Sequence, residues 1–175
     1  MKLSTLSPQR AELLTRLSNL PPQILTLHDH DHVAGCVLYE LCGSSCFDLK
    51  KAAFFVDNPD FDCCKGIIGF SREDHPRHID DVWGAHQDLA EDMKRSIFNQ
   101  KVRDTHYASA KKNNIDVVVN ELAKRLDIKN PSYLTFPVRH QNHGVFIYQA
   151  DTPGVKETHE FMPQGLSLLG FCPLV

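Results

Sequence analysis

The sequence predicts a single α+β domain over residues 1–175, with α/β as the alternative, in which a mixed sheet of about five strands is flanked by about four helices. Three observations indicate this class. Apolar residues recur at helical spacing in several segments. Other apolar runs have the length of a strand and end in polar turns. The balance of 42% hydrophobic and 23% charged residues is that of a globular protein.

The amino-terminal segment is predicted to form a helix followed by a strand. Ser7 can cap the helix with Pro8 at its first position, and the pair Pro21 and Pro22 is expected to end it. The short apolar run Ile24 to Leu27 then predicts a buried strand.

A second helix and a second strand are predicted next. Asp29 or Asp31 can cap the helix, and Gly43 can supply the left-handed residue after its end. The strand, Ala52 to Val56, ends abruptly in the polar turn Asp57 to Asp60. One face of the helix is formed by the apolar residues Val33, Ala34, Val37, Leu38 and Leu41.

The order of these elements indicates where a ligand would bind. If the first two strands are parallel neighbours, their polar turns lie together at the carboxyl ends of the strands, where open α/β sheets bind ligands. The second helix then points its amino terminus at the same place, which favours an anion. The next apolar run, Cys63 to Phe70, favours a hairpin instead, because the turn sequence NPDFD precedes it. Gly66 and Gly69 indicate a bulge or a close backbone approach.

A long helical pattern begins at Ile79 and either continues toward Lys112 or breaks near Asn99 or Thr105. Its periodicity turns His86 toward the interior, either as a core residue or as a ligand. The apolar stripe consists of Ile79, Val82, Trp83, His86, Ala90, Met93 and Ile97.

The carboxyl-terminal third is predicted to form a helix and an antiparallel hairpin. Asn113 or Asn114 can cap the helix. The strands Tyr133 to Val138 and Val145 to Ala150 are apolar on both faces, so we expect both to be central. The last residues, Leu166 to Val175, predict a further strand or a packed tail. The turn of the hairpin is predicted at Asn142, His143 and Gly144.

The chain carries no pattern typical of export or membrane insertion. No apolar run approaches the roughly 20 residues needed to cross a bilayer. The first residues, MKLSTLSPQRAELL, lack the apolar core and the cleavage site of a signal peptide. We therefore expect a cytoplasmic protein with no membrane partner.

Six cysteines without an export signal predict reduced thiols, and none lies in a C-x-x-C motif. The favoured interpretation is that they act as small buried hydrophobes. Cys42 and Cys46, four residues apart, leave metal ligation open as an alternative. The adjacent Cys63 and Cys64 would point to opposite faces of a strand, so we expect one to be buried and the other exposed.

The turn from His28 to His32, in which imidazoles and carboxylates alternate, holds the densest grouping of chemically active side chains. Such groups are common ligands of zinc, iron and manganese, and a site needs three or four of them. We predict a divalent-metal site drawn from His28, Asp29, Asp31, Asp57, Asp60 and His86. His30 and His32 are predicted to act as acid or base, and His75 and His78 are further candidate ligands. The alternative is an exposed polar turn whose aspartates cap a helix.

The motif DHDHVAG at residues 29–35 resembles the first metal-binding motif of the DHH phosphoesterases, through Asp29, Asp31, Val33, Ala34 and Gly35. In that family two aspartates spaced by one residue follow an apolar strand and precede a helix that starts with small residues. Asp57, after FFV, stands where the family places its next aspartate. The chain has no Asp-His-His triplet, since Asp74 and His75 are followed by Pro76. The resemblance implies metal-assisted cleavage of a phosphate ester.

These observations predict a metal-dependent hydrolase of a small-molecule phosphate or related ester, with zinc, manganese or iron as its cofactor. The alternative is a non-enzymatic binding or regulatory protein. Its binding surface would be the helical stretch Lys94 to Lys129, which carries nine basic residues against four acidic ones. An acidic partner is the expected ligand of such a surface, with nucleic acid as the less favoured one.

Overall fold

The computed structural model describes residues 7–27, 30, 32–75, 77–151 and 157–173. The strands within these residues are β1 (Leu49–Asn58), β2 (Cys63–Ser71), β3 (His106–Tyr107), β4 (Ser132–Pro137) and β5 (His143–Ala150). They form one sheet in the order β3-β2-β1-β5-β4, and every neighbouring pair is antiparallel. The α+β class is confirmed, whereas the expected mixed sheet is wrong.

Helices cover both faces of the sheet. In the described part of the chain they are α1 (Pro8–Thr26), α2 (Val33–Cys42), α3 (His86–Arg95), α4 (Ile97–Arg103), α5 (Ile115–Arg125) and α6 (Met162–Ser167). The apolar residues of α1, α2, α3 and α6 form one core on one face of the sheet, and those of α4 and α5 form a second core on the other. None of these helices is long and apolar enough to cross a bilayer.

The central strand β1 is buried on both of its faces. Ala52 and Phe54 pack into the core of α1, α2 and α3, while Ala53 and Phe55 pack into the core of α4 and α5. All four side chains are fully buried. Because helices lie on both sides, the strand is apolar in a continuous run rather than in alternation.

The first helix is longer than predicted. α1 continues through Pro21–Pro22, so the strand expected at Ile24 to Leu27 is wrong. A proline inside a helix costs about 3 kcal/mol, because it removes a hydrogen bond and crowds the preceding turn. Burial of Leu20 and Ile24 against the core offsets this cost, since each side chain contributes about 1.5–3 kcal/mol.

The hairpin predicted for Cys63 to Phe70 is confirmed. β1 and β2 are joined by a short 3-10 turn, Pro59–Phe61, and the side chain of Asn58 caps this turn by accepting from two backbone N–H groups. A bulge interrupts the pairing of the two strands between Phe54 and Phe55. The predicted parallel arrangement of the first two apolar runs therefore does not occur.

Helix α4 lies directly on β2. A Cβ atom added at Gly66 would lie 1.9 Å from the carbonyl oxygen of Val102, and one at Gly69 would lie 2.6 Å from the Val102 side chain. The backbone N–H of Gly69 donates to Asn99 Oδ1 at 2.9 Å. The close backbone approach predicted from the two glycines is thus confirmed.

The helical pattern expected from Ile79 breaks, as one of the two alternatives predicted, and the breaks lie at Ser96, before Asn99, and after Arg103, near Thr105. α3 begins only at His86, and Ser96 separates it from α4. The hydroxyl of Ser96 caps α4 by accepting from the backbone N–H three residues later, and it donates to Asp74 Oδ2 at 2.6 Å. Ile97, expected on the buried stripe, is 77% exposed because the chain turns at this break.

The hairpin of β4 and β5 is confirmed, but β4 is an edge strand rather than a central one. Its turn lies before the predicted position: His140 and Gln141 take the left-handed backbone, with φ of 59° and 61°. Gly144 lies inside β5, where a Cβ would meet the ring of Phe136 at 2.7 Å. The last described residues form α6 and a 3-10 helix with Leu169 buried, which confirms the packed tail.

Candidate functional site

Three histidines from two parts of the chain meet at one place. His30 and His32 lie just before α2, and His86 is the first residue of α3. The ring centroids are 5.2 Å apart for His30 and His32, 5.4 Å for His30 and His86, and 4.9 Å for His32 and His86. The structure therefore brings together three of the residues singled out from the sequence, and these three are called the histidine cluster below.

His32 and His86 form the closest contact of the histidine cluster. Their ring planes are nearly parallel, with an interplanar angle of 8°, and the rings meet edge to edge, with His32 Nε2 2.6 Å from His86 Nδ1. At this distance one nitrogen donates its N–H in a hydrogen bond and the other nitrogen accepts that bond. The tautomers of the two rings decide which ring is the donor. The pair holds a proton that either ring can carry.

The helices that present these histidines begin without a side-chain cap. His32 is the N-cap residue of α2 and Ala85 is that of α3, and among the described residues neither helix has a side-chain hydrogen bond at its cap. By contrast, Ser7, Ser96 and Asn114 cap α1, α4 and α5 with their side chains. Two uncapped helix amino termini, each with its partial positive charge, therefore adjoin the histidine cluster.

The position of α2 is fixed by the core. Of its residues only Glu40 is not buried, and a Cβ atom added at Gly35 would lie at ordinary contact distances from Ile68 and Met93. The C-cap residue Gly43 has an extended backbone, with φ of −63° and ψ of 159°. The left-handed conformation predicted for this glycine is therefore wrong.

A cavity of about 350 Å³ opens beside the histidine cluster. His30 and His32 lie on its wall together with Lys94, Asn99 and Arg103. Its volume falls within the range of small-molecule sites, roughly 300–1,000 Å³. The remaining wall is formed by Gly35, Ile68, Leu89, Ala90 and Met93. This space, called the histidine cavity below, places two basic side chains near the imidazoles.

Asp57 lies away from the histidine cluster. It alternates with Ala53 and Phe55 along β1, so its side chain points to the face of the sheet that α4 and α5 cover, opposite to α2 and α3. Its carboxylate accepts hydrogen bonds from Ser109 Oγ at 3.1 Å and from the backbone N–H groups of the next two residues at 2.9 and 3.0 Å. Asp60 is exposed in the turn that follows β1. The structure does not bring either aspartate to the imidazoles.

The other predicted ligands of the turn, His28, Asp29 and Asp31, lie outside the described residues. Within the residues that are described, no group of three or more His, Cys, Asp or Glu side chains is arranged to hold a metal ion. Two imidazole nitrogens on one tetrahedral zinc ion, each at about 2.0–2.1 Å, are about 3.3 Å apart. The 2.6 Å contact of His32 and His86 therefore fits a shared proton, and a metal ion would replace that proton after a small separation of the rings.

His75 and His78 belong to a different cavity, at the carboxyl end of α2. The ring of His75 stacks on Phe70 at 5.4 Å and meets Tyr39 edge-on at 5.8 Å. Burial lowers the pKa of His75, although the carboxylates of Asp74 and Asp92 oppose this shift. His78 is exposed and lies 3.4 Å from Asp80. Neither residue joins the histidine cluster.

The cysteines are free thiols, as predicted. Cys64 is buried and Cys63 is partly exposed, which confirms the expectation for this pair. Burial raises the pKa of Cys42 well above its ordinary value. Burial also raises to about 12 the pKa of Cys36, Cys46, Cys64 and Cys172. These five thiols carry almost no thiolate at neutral pH, so they are not poised as nucleophiles.

Lys94 and Arg103 are the residues of the histidine cavity that sequence reasoning missed. Both belong to the basic stretch, which was interpreted only as a surface for a partner. Leu89 and Met93 follow His86 by three and seven residues, the spacing of one helix face, so the sequence does place part of the wall beside the histidine. Arg103 comes from α4, and no local pattern indicates that this helix folds back toward the cluster.

Comparisons of the chain with protein-family models, with curated proteins and with solved structures find no match. The segment before the DHDHVAG motif is the last turn of α1 and not a strand, so the structural context of the DHH phosphoesterase motif is absent.

Proposed function

We propose that this chain hydrolyses a phosphate or related ester at the histidine cluster, with a divalent metal ion held by imidazole nitrogens of His32 and His86 and with His30 as acid or base. The observation that carries the proposal is the 2.6 Å nitrogen pair of His32 and His86 beside a cavity with basic residues on its wall. Asp57 and Asp60, which the sequence added to this site, have no part in the proposal.

Ester hydrolysis needs a base and an acid. The base removes a proton from the attacking water as its oxygen bonds to phosphorus, and the acid gives a proton to the leaving oxygen as the ester bond breaks. Imidazole serves both roles because it titrates near neutral pH. With the metal ion on His32 and His86, the third ring, His30, lies beside both of them and is the group that takes up the proton of the attacking water and returns it to the leaving oxygen.

The surroundings of the histidine cluster favour a negatively charged substrate. The uncapped amino termini of α2 and α3 and the side chains of Lys94 and Arg103 all contribute positive potential. The two helix amino termini also stabilise the charge that develops on phosphoryl oxygens during the reaction. A bound divalent metal ion would polarise the ester and lower the pKa of a coordinated water toward about 7.

The test is elemental analysis of untagged protein purified without chelator, together with turnover of p-nitrophenyl phosphate and bis-p-nitrophenyl phosphate with added zinc, manganese or iron. We expect near-stoichiometric metal and turnover in the wild-type protein. The variants His32→Asn and His86→Asn should lose the metal and reduce turnover by about 10²–10⁴-fold. His78→Asn, an exposed histidine outside the cluster, is the matched control and should behave as wild type.

Two outcomes would overturn the proposal. One is folded wild-type protein that takes up none of the three metals and hydrolyses neither ester. The other is turnover that survives in the double variant of His32 and His86, because the reaction would then occur elsewhere.

The basic stretch supports a second candidate function, binding of an acidic partner. Its nine basic side chains are all exposed, namely Lys94, Arg95, Lys101, Arg103, Lys111, Lys112, Lys124, Arg125 and Lys129. Of these nine basic side chains, only Lys94 and Arg125 form ion pairs within the described residues. Binding to an acidic polypeptide such as polyglutamate, weakened by Lys111→Gln and Lys112→Gln but not by His86→Asn, would favour this function over hydrolysis.

A further inference from the structure

The histidine cavity differs in chemistry from one end to the other. His30 and His32 lie at the end where α2 and α3 begin. Lys94 lies in the last turn of α3, and Arg103 is the last residue of α4. The two basic side chains are therefore displaced along α3 from the imidazoles, and an anion bound to them is not the group that the imidazoles touch.

The wall between the two ends is apolar. Leu89 and Met93 are buried, with 1% and 5% of their surface exposed, and Ile68 and Ala90 complete this part of the wall. Leu89 and Met93 are already shielded from water, so an apolar group gains free energy here by covering the half-buried Ile68 and Ala90, at about 25 cal/mol per Å² removed from water. A substrate that fills the cavity therefore needs an apolar middle portion.

The basic end is held in place by the corner between α3 and α4. Asn99 Nδ2 donates to the carbonyl oxygen of Met93 at 2.8 Å, and Asn99 Oδ1 accepts from the N–H of Gly69 at 2.9 Å. The Asn99 amide thus connects α3, α4 and β2, and both of its polar atoms already have hydrogen-bond partners within the protein. Lys94 and Arg103 are therefore the side chains that can contact a ligand at this end.

Both cations are available to a ligand anion. Lys94 Nζ lies 3.0 Å from Glu91 Oε1, but both side chains are more than half exposed. Exposed ion pairs contribute only about 0–1 kcal/mol, so an anion bound in the cavity can replace this contact. Arg103 is exposed, and no ion pair within the described residues involves it.

The spacing of the two ends can be read from α3. The Cα atoms of His86 and Lys94, eight residues apart in one helix, are separated by about 12 Å along the helix axis. We infer that the substrate carries a second anionic group, joined to the reacting ester by an apolar portion, and that Lys94 and Arg103 select for that group. The choice of the histidine end as the reacting one rests on the proposed function.

The experiment is isothermal titration calorimetry at constant ionic strength with three probes: octanediol bisphosphate, whose extended length matches the cavity, propanediol bisphosphate, and octyl phosphate. We expect octanediol bisphosphate to bind about tenfold more tightly than octyl phosphate, since a charge-assisted contact is gained at the far end. Propanediol bisphosphate is too short to reach both ends and should show no such gain.

The double variant Lys94→Gln with Arg103→Gln should lose this tenfold preference and bind octyl phosphate as the wild type does. The matched control is Arg95→Gln with Lys101→Gln, which removes two exposed cations of the same helices that do not line the cavity. Far-ultraviolet circular dichroism would verify that both variants are folded.

The inference is overturned if the two octyl probes bind equally, if the preference survives in the Lys94 and Arg103 variant, or if the control loses it to the same extent. Binding needs no turnover, so the two proposals fail separately. A preference for the long bisphosphate without hydrolysis of any ester would sink the proposed function alone. Hydrolysis at the histidine cluster without the preference would sink only the inference about the second anion.

Discussion

The carboxylate of Asp57 lies in the core with 1% of its surface exposed, and it holds the loop that precedes α5. Three donors point at its two oxygens, one hydroxyl and two backbone N–H groups. Each hydrogen bond to a buried charged group contributes about 1.5–3 kcal/mol to the stability of the folded protein. The residue therefore stabilises the fold, on the face of the sheet opposite to the histidine cluster.

The variant Asp57→Asn should destabilise the protein by about 2–4 kcal/mol, because its amide NH₂ would face donors that need an acceptor. Urea unfolding measures this change. Asp60→Asn, at an exposed position three residues later, is the control and should change the stability by less than about 0.5 kcal/mol. Unchanged stability combined with loss of metal in Asp57→Asn would instead return this aspartate to the site.

At the residue level, the sequence indicated which histidines are candidate site residues but not which of them contact each other. The His28 to His32 turn stands out by composition, and the helical stripe indicates that His86 faces inward. That His32 and His86 meet depends on how α3 packs on α2, which no local pattern encodes. Asp57 was misleading because a carboxylate after an apolar strand looks the same whether it binds a ligand or a neighbouring loop.

At the level of elements, Ser96 links three parts of the structure. It ends α3, caps α4 and donates to Asp74 in the 3-10 turn after β2. Asp74 Oδ2 also accepts from the backbone N–H of Phe98 at 3.0 Å. The corner between α3 and α4, and with it the far wall of the histidine cavity, depends on these contacts.

The variant Ser96→Ala should lower the stability by about 1–2 kcal/mol, because it removes a helix cap and leaves a carboxylate oxygen with one partner fewer. Thermal unfolding followed by circular dichroism measures the change. Ser18→Ala, at an exposed position of α1, is the control and should leave the midpoint almost unaltered. A midpoint equally unaffected in Ser96→Ala would show that the corner is held by apolar packing alone.

Local signals predicted an element correctly where cap or turn residues in the sequence mark its ends. The cap of α5 at Asn114 and both hairpins are examples, since turn and cap residues act over a few positions. The prediction failed at Pro21–Pro22, where burial of the following turn outweighs the local preference against a helix. It also missed the position of the break at Ser96, because the apolar stripe continues across this residue and gives no sign that one helix ends and another begins there.

At the level of the whole molecule, His75 makes stability depend on pH. Its pKa is lowered in the folded protein, mainly by burial. As the pH falls, the unfolded chain binds a proton at this histidine before the folded protein does. The stabilisation is therefore complete above about pH 6.5 and is lost progressively below that value, down to the folded pKa.

The variant His75→Phe keeps a ring against Phe70 and removes the titration. Its urea midpoint should fall less than that of the wild type between about pH 7.5 and about pH 5.5, because the unfolded wild-type chain takes up a proton at His75 in this range and the unfolded variant does not. His78→Gln removes an exposed histidine and should keep the wild-type dependence. Equal slopes for all three proteins would contradict the assignment to His75.

The order of the strands in the sheet could not be predicted from the sequence, because it depends on pairing between strands that are far apart along the chain. β1 was recognisable as a buried strand, and β5 as half of a hairpin, but their pairing joins segments on the order of 90 residues apart. The class α+β followed from the elements alone. The antiparallel order and the covering of both faces did not.

This distant pairing has a consequence for synthesis on the ribosome. At about 5–20 residues per second, β1 waits for several seconds until β5 has been made. During that interval β1, which contains the apolar run Ala-Ala-Phe-Phe-Val, presents an unpaired edge. The nascent chain is therefore exposed to aggregation at β1, and chaperones that bind short apolar segments should act on it before residue 143 is reached.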